Sequence, residues 1–381
     1  MWNNLVNPHW GILINCFNTE KLPETQYEII ISNETVIDIK NIWNGTYSPL
    51  NWFLKKNDFI SVCKNMRLEN GILWSIPIVL DISKEQKNEI ESSNVEYISL
   101  IDQQWNKIAI IKNEEIYSFN REDYANYVFG TTDIEHPWVS NIYSLNELLI
   151  WWKIILLNNN KDKVHNLSPI ETRKIFEEKW WKTIAAFQTR NPPHISHEYL
   201  QKCALEWCDG LYINPVVWKK KTWDFVDKYI VWAYEILIRN YFNKEHVLFG
   251  SLTLNMKYAW PREAILHAII RQNHWCSHLI IWRDHAWVWS YYGHYDAQNI
   301  FDKLRVNDLE INILKYENAW LCTICKTVTT NKTCPHSNEN KVHISWTEVR
   351  RRIKAKEILP GDFMRKEISE YLIEWKNQFV N

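Results

Sequence analysis

The sequence predicts an α/β protein in three parts, and three observations carry the prediction. Short apolar runs separated by turn residues fill positions 1 to about 165. From 166 to 318, apolar runs alternate with stretches of helical period. From 319 to 381 the chain carries a cysteine–histidine cluster and two further helical stretches. Short apolar runs bounded by turn signals read as strands, and strands that alternate with helices read as a parallel sheet wound in βαβ units.

In the first part Ile29–Ile31, Val36–Ile39, Ile76–Leu80, Tyr97–Ile101 and Ile108–Ile111 read as strands, so a mostly-β unit is expected. Its exit falls at Lys161–Lys163 and Leu167–Pro169, where Ser168 or Thr172 can cap a helix over Ile170–Lys179. The second part opens with a buried-type strand, Lys182–Phe187, that runs into a polar loop, Gln188–Pro193. A helix (His197–Glu206), a strand (Leu211–Val217), a helix (Phe225–Arg239) and a strand (His246–Leu254) follow. Then come a helix (Arg262–Gln272), a strand (His278–Ile281) and a second polar loop at Arg283. Both polar loops follow strands, and parallel sheets bind ligands at the carboxyl ends of their strands. The third part predicts a basic helix over Thr347–Lys356, a turn at Pro360–Gly361 and a last helix over Arg365–Trp375. There is no internal repeat.

Composition narrows the function. Lys plus Arg number 44 and Asp plus Glu 45, so there is no basic surplus of the kind that nucleic-acid binders carry. No run of 18 apolar residues occurs, which predicts no membrane span. Met1–Asn4 lacks a basic n-region with an apolar run behind it, so a cytoplasmic protein is expected. In that setting the eight cysteines are expected as thiols or metal ligands rather than disulfides.

The first polar loop, Gln188-Thr189-Arg190-Asn191-Pro192-Pro193-His194-Ile195-Ser196-His197, sets a guanidinium, two amides and two imidazoles within ten residues. His194-x-x-His197 opens a helix, whose free N–H groups and dipole favour an anion. Arginine offers a bidentate fork to a tetrahedral oxyanion. No nucleophile is held beside a base, so the set suits charge stabilisation around phosphate rather than covalent catalysis. The second loop, Trp282-Arg283-Asp284-His285-Ala286-Trp287, repeats the pattern of arginine and histidine behind a strand. Cys322-x-x-Cys325 followed by Cys334-Pro335-His336 has ligand types and spacing suited to a closed tetrahedral zinc site; His343 is an alternative fourth ligand.

These residues also carry a family resemblance. Gln188–His194 and its continuation His197-Glu198-Tyr199-Leu200 resemble the signature loop of the ATP sulfurylase family. The second loop resembles the family's Gly-Arg-Asp-His-Ala-Gly motif with tryptophan in place of both glycines. Pro8-His9, Ser48-Pro49-Leu50, Gly130–Asp133, Pro261–Ala264, Tyr291–Gly293, Ile344–Arg350 and Phe363–Arg365 look like family segments as well, so the resemblance spans nearly the whole chain. It implies a PUA-like domain at 1–165, a Rossmann-like adenylyltransferase domain at 166–318, and a C-terminal region at 319–381 without an appended adenylylsulfate-kinase domain. It implies the reaction of ATP with sulfate to adenosine 5′-phosphosulfate and pyrophosphate, with magnesium accompanying ATP and a structural zinc. Thr189, Arg190, Asn191, His194 and His197 would be catalytic. Gln188 through Asn191, Trp282, Arg283, Asp284, His285 and Val328 would bind ATP, and Gln188, Arg190 and Ala286 would bind sulfate. Lys219–Lys221 would add positive potential, and a homo-oligomer is expected. The competing expectations are an adenylyltransferase with another acceptor and an inactive homologue that binds RNA or protein.

One feature of composition bears on activity. A chain of this length ordinarily carries roughly 27 glycines, and this one has 8, with 23 tryptophans. Tryptophan stands where the family has glycine at Trp10, Trp52, Trp138, Trp180, Trp218, Trp260, Trp275, Trp282, Trp287, Trp289 and Trp346, whereas Trp74 and Trp181 match family tryptophans. Glycine permits positive φ and close backbone approach to a ligand, and tryptophan does neither without strain. The deficit and the excess point to a UGA codon that the source lineage reads as glycine.

Overall fold

The computed structural model describes residues 6–15, 23–156, 166–217, 224–259, 261–283, 285, 291–342, 346–375 and 378–380. Lys161–Lys163, Lys219–Lys221, Asp284, Ala286, His343, Trp218, Trp260, Trp287 and Trp289 lie outside these residues. Along the first part run β1 (Tyr27–Ile30), α1 (Asn33–Trp43), α2 (Lys56–Asn65), β2 (Leu80–Ile82) and α3 (Lys84–Ser92). They are followed by β3 (Tyr97–Ile101), β4 (Lys107–Ser118), α4 (Arg121–Phe129), α5 (Pro137–Ser144) and β5 (Leu148–Leu156). The five strands form one sheet in the order β1-β3-β4-β5-β2, parallel only at β1–β3.

Two expected strands are corrected. Val36–Ile39 lies inside α1, where the Ser32 hydroxyl accepts from the Thr35 N–H and starts a helix. Ile39 and Ile42 are buried together, a three-residue spacing that the local Val-Ile-Asp-Ile alternation hides. At Ile76–Leu80 only Leu80 is in a strand, because Pro77 has no N–H to give to a ladder.

The second part is wound as predicted: α6 (Pro169–Glu178), β6 (Ile184–Thr189), α7 (Ile195–Leu205), β7 (Gly210–Val217), α8 (Asp227–Tyr241), β8 (Val247–Phe249), β9 (Leu252–Thr253), α9 (Arg262–Asn273), β10 (His278–Ile281), α10 (Asp296–Asn299) and β11 (Asn312–Lys315). Ser168 caps α6 in a reciprocal box with Glu171. The order β11-β10-β6-β7-β8 is parallel throughout, with β9 added beside β7. From β6 the chain steps outward to β7 and β8, and then returns to β10 and β11 on the other side. The strand order therefore reverses between β6 and β10, the crevice in which open parallel sheets bind ligands. α9 is buried from Glu263 to Asn273. Ile265, Leu266, Ile269 and Ile270 pack in the core of the first part, and Ala264 and Ala268 in a core under the parallel sheet. One helix thus joins the two halves.

The third part holds a small antiparallel sheet of β12 (Trp320–Cys322), β13 (Thr327–Thr329) and β14 (Lys341–Val342), then α11 (Trp346–Lys354) and α12 (Lys366–Glu374). Val349, Ile353, Ile368 and Leu372 from these helices close the core on the α7–α8 face of the parallel sheet. No helix among the described residues is long and apolar enough to cross a membrane.

Candidate functional site

The two polar loops meet. β6 ends at Thr189 and β10 at Ile281, on either side of the switch point, and the loops that leave them line one cavity of about 340 Å³. Gln188, Thr189, Arg190, Asn191, His194 and His197 come from the first loop and the start of α7; Trp282, Arg283 and His285 come from the second. Met256, the Glu317–Ala319 link and Trp346 complete the wall.

Each side chain is held by identifiable contacts. The Asn191 N–H donates to the Thr189 hydroxyl at 3.2 Å, which folds the loop back as it leaves the strand. Arg190 lies with its guanidinium carbon 5.2 Å from the centre of the buried Tyr258 ring. His194 is the N-cap of α7, its Nδ1 accepting from the His197 N–H at 3.4 Å, and the two imidazoles stack with centres 3.7 Å apart. The first turn of α7 thus opens on the cavity, where its N–H groups favour negative charge. α7 is fixed from behind. The Arg365 guanidinium forks onto the Glu198 carboxylate at 2.8 and 2.9 Å, and the Ile195 N–H donates to the Phe363 carbonyl at 3.0 Å.

Burial sets the protonation of the histidines. His197 and His285 are pushed down to about 3, each chiefly by desolvation, with Arg271 and Arg190 adding repulsion at His285. His194 is driven well below the usual imidazole range by burial and then by its stacked neighbour. All three are therefore neutral at physiological pH and can each offer one N–H.

Sequence reasoning missed a polar stripe behind these loops. Glu263, His267 and Arg271 sit four residues apart along α9, all fully buried. The Gln188 side-chain amide donates to His267 Nδ1 at 2.9 Å, and His285 Nε2 lies 3.2 Å from the same atom. Glu263 accepts from the N–H groups of Lys257 and Ala259 at 2.8 and 3.1 Å, and burial still raises it to about 7. The four-residue spacing of polar side chains in a buried helix was the signal available.

Arg350 stands one turn beyond Trp346 on α11, outside the residues that line the cavity. Its Nη2 lies 3.5 Å from an Asp224 carboxylate oxygen, and it is held below the usual guanidinium range by burial first and by the positive charge of Arg190. Val328 does not line the cavity; it pairs with Leu321 in the small sheet, on the strand that packs against α7.

Cys322, Cys325, Cys334 and His336 come together in one cluster, and His343 lies outside the described residues. One ligand atom each from Cys322, Cys325, Cys334 and His336 lies within 4.8 Å of the others. His336 Nδ1 is 3.3, 3.3 and 3.4 Å from the three sulfurs, and the Cys325 and Cys334 sulfurs are 3.8 Å apart. A tetrahedron with zinc–sulfur arms of about 2.3 Å has a sulfur–sulfur edge of about 3.8 Å. The donor set and its spacing fit zinc.

Comparison with known proteins agrees with this geometry. A family model described as ATP-sulfurylase matches residues 163–375, and one described as PUA-like domain matches residues 6–159. The sulfate adenylyltransferase of Persephonella marina is 41% identical over 383 residues, covering 97% of this chain and 98% of that one. The sulfate adenylyltransferase of Pyrococcus abyssi is 41% identical over 382 residues, covering 98% and 99%. A solved structure titled "Hexameric APS kinase from Thiobacillus denitrificans" superposes with a TM-score of 0.74 at 19% identity, covering 97% of this chain and 68% of that chain, and so shares the fold. With a matching family model over more than half its length and relatives of this identity along nearly all of it, the chain belongs to the ATP-sulfurylase family.

Proposed function

We propose that this protein is a sulfate adenylyltransferase, joining ATP and sulfate to adenosine 5′-phosphosulfate and pyrophosphate or running the reverse reaction. The observation that carries the reading is the convergence of Arg190, Arg283, His194, His197 and the first turn of α7 on one cavity at the strand-order reversal. A sulfate oxygen attacks the α-phosphorus in line, the bond to the β-phosphate oxygen breaks, and pyrophosphate carries the electron pair away. The substrate supplies the nucleophile, so the protein's part is position and charge.

In this reading Arg190, with Gln188, grips sulfate, and Ala286 lies beside it. Thr189 and Asn191 hold the phosphates. Trp282, Arg283 and His285 line the nucleotide; the family resemblance would add Asp284, and Val328 from outside the cavity wall. His194 and His197, both neutral, donate N–H bonds to the oxygens that gain charge as pyrophosphate leaves. The Gln188–His267–His285 contacts orient both loops from behind. Magnesium enters with ATP and shields the triphosphate, and Lys219–Lys221 add to the positive field. Arg350 supplies a further cation at the edge, and Arg350→Ala is expected to raise the KM for ATP several-fold with little change in kcat. A cytoplasmic homo-oligomer fits the same reading, and sedimentation of the purified protein measures the association.

The test is release of pyrophosphate from ATP and magnesium with and without sulfate. Sulfate-dependent release is expected, and release that ignores sulfate would count against the reading. The four thiol and imidazole ligands would hold zinc as a closed structural clamp on the small sheet beside α7. Metal analysis should find one zinc per chain, and Cys334→Ser should lose it together with several degrees of melting temperature. A metal-free protein of unchanged stability would show the clamp to be idle.

A further inference from the structure

The backbone asks for glycine at four positions that hold tryptophan. Among the described residues, ten that are not glycine have φ in the left-handed region, and four of these are Trp10 (φ 63), Trp105 (φ 64), Trp180 (φ 59) and Trp275 (φ 74). Tryptophan supplies only 23 of the chain's 381 residues, and a bulky side chain is an outlier at positive φ.

The hydrogen bonds name the local motifs. After α6, the Trp180 N–H donates to the Glu177 carbonyl at 3.0 Å and the Trp181 N–H to the Phe176 carbonyl at 3.1 Å. After α9, the Trp275 N–H donates to Gln272 at 3.0 Å and the Cys276 N–H to Arg271 at 2.9 Å. Both are the paired bonds of a helix end whose left-handed residue is ordinarily glycine. At the end of α4 Gly130 occupies the corresponding left-handed position, with φ 68. In the β3–β4 hairpin the Trp105 N–H donates to the Asp102 carbonyl and the Asp102 N–H to the Asn106 carbonyl, both at 3.0 Å. That is a turn closed by a bulge, again with its left-handed residue usually glycine. Trp10 precedes Gly11, itself at φ 76.

Three of these four side chains lie mostly in solvent. Trp10, Trp105 and Trp180 are 62%, 71% and 71% exposed, and Trp275 is half-buried with Arg173 over its ring. Trp74 and Trp181, which match family tryptophans, are packed instead. Trp74 is fully buried, and its indole N–H donates to the Ile76 carbonyl at 2.8 Å. Trp181, next in sequence to Trp180, stacks on Phe176 and lies so close over Gly210 that a Cβ there would meet its ring at 2.2 Å. The four left-handed tryptophans thus differ from Trp74 and Trp181 in backbone conformation and in packing, and a codon with two meanings produces such a difference.

We propose that residues 10, 105, 180 and 275 are glycine in the protein its source organism makes, through a UGA codon read there as glycine, and that Trp74 and Trp181 are encoded by UGG. Decoding acts along the whole message, so the codons at 282 and 346 decide the shape of the site. Trp282 lies flat on Phe187, with ring centres 4.9 Å apart, and Trp346 sits 5.3 Å from His194. Both indoles stand in the cavity wall. Glycine at either would widen the cavity and bring bare backbone to the ligand. The inference does not rest on the proposed reaction, since it stands on backbone geometry.

Reading the gene is the first test: UGA at 10, 105, 180 and 275 with UGG at 74 and 181 is expected, and UGG at all six overturns the proposal. Peptides of the protein purified from its source should carry the glycine mass at residue 180 and the tryptophan mass at residue 181; tryptophan at both overturns it. The third test compares two recombinant chains, one as written and one with Trp10→Gly, Trp105→Gly, Trp180→Gly and Trp275→Gly. The quadruple variant should melt several degrees higher, while Trp74→Gly should melt lower; a quadruple variant that melts lower than the chain as written contradicts the proposal. None of these readouts depends on catalysis, so their failure is distinct from failure of the sulfurylase reading.

Discussion

Arg190→Ala is expected to lower kcat for adenylyl transfer by about 10²–10³-fold while the protein stays folded, by analogy with the loss of one preorganised donor to a developing anion. The fold should tolerate the change. Arg190 is half-buried in the cavity wall, and its ring contact with Tyr258 is worth on the order of 1 kcal/mol. Arg190→Lys retains the charge but loses the planar fork, so it should recover only part of the rate. Steady-state kinetics with sulfate as the varied substrate separate the outcomes. If Arg190→Ala changes KM for ATP alone and leaves kcat intact, Arg190 does not grip the acceptor.

Acid should destabilise this protein well before carboxylates of ordinary pKa titrate. His194, His197, His267 and His285 are all held below the ordinary imidazole value by burial, and His274 is pushed down to about 4. Above pH 6.5 these groups are neutral whether the chain is folded or not, and they add no pH dependence. As pH falls below 6.5 the unfolded imidazoles take up protons that the buried ones refuse. Each such group then favours unfolding by about 1.4 kcal/mol per pH unit, down to its folded value. Glu263 acts in the opposite sense. Raised to about 7, it gains its proton in the folded state first and adds stability between pH 7 and its ordinary value of 4.5. Five histidines against one carboxyl leave a net loss on the order of 5 kcal/mol per pH unit as an upper bound, and total stability is only about 5–15 kcal/mol. Urea titrations at pH 7.5 and 5.5 should show a large fall in midpoint. A midpoint that is flat or rising toward pH 5.5 would mean that these imidazoles are charged or solvated in the folded protein.

Where local chemistry decides, the fold was legible. β3 and β10 begin and end at the residues read from the apolar runs, and Ser168 caps α6 as its position suggests. α1 was read as strand because its four-residue apolar stretch alternates, and only the cap at Ser32 and the wider Ile39–Ile42 spacing reveal a helix. The site loops could be found because arginine and histidine crowd directly behind two apolar strands. Their supports could not be found in the same way. Glu198 and Arg365 are 167 residues apart, and nothing local announces that one fixes the other. The stripe of Glu263, His267 and Arg271 was readable in principle, but in a helix with other polar residues it looks like ordinary sequence until Gln188 and His285 are seen against it. For the metal cluster the sequence leaves His336 and His343 open as the fourth ligand; the structure brings His336 Nδ1 to 3.3, 3.3 and 3.4 Å from the three sulfurs, and His343 lies outside the described residues.

The most direct test of the account supplies adenosine 5′-phosphosulfate, pyrophosphate and magnesium and follows ATP. It uses the chain with glycine at 10, 105, 180, 275, 282 and 346, with the same chain bearing Arg190→Ala as control. ATP formation that is lost in the control is the predicted result. A folded, zinc-loaded protein that forms no ATP, or an Arg190→Ala control as active as its parent, would contradict the claim that these two loops make an adenylyl-transfer site.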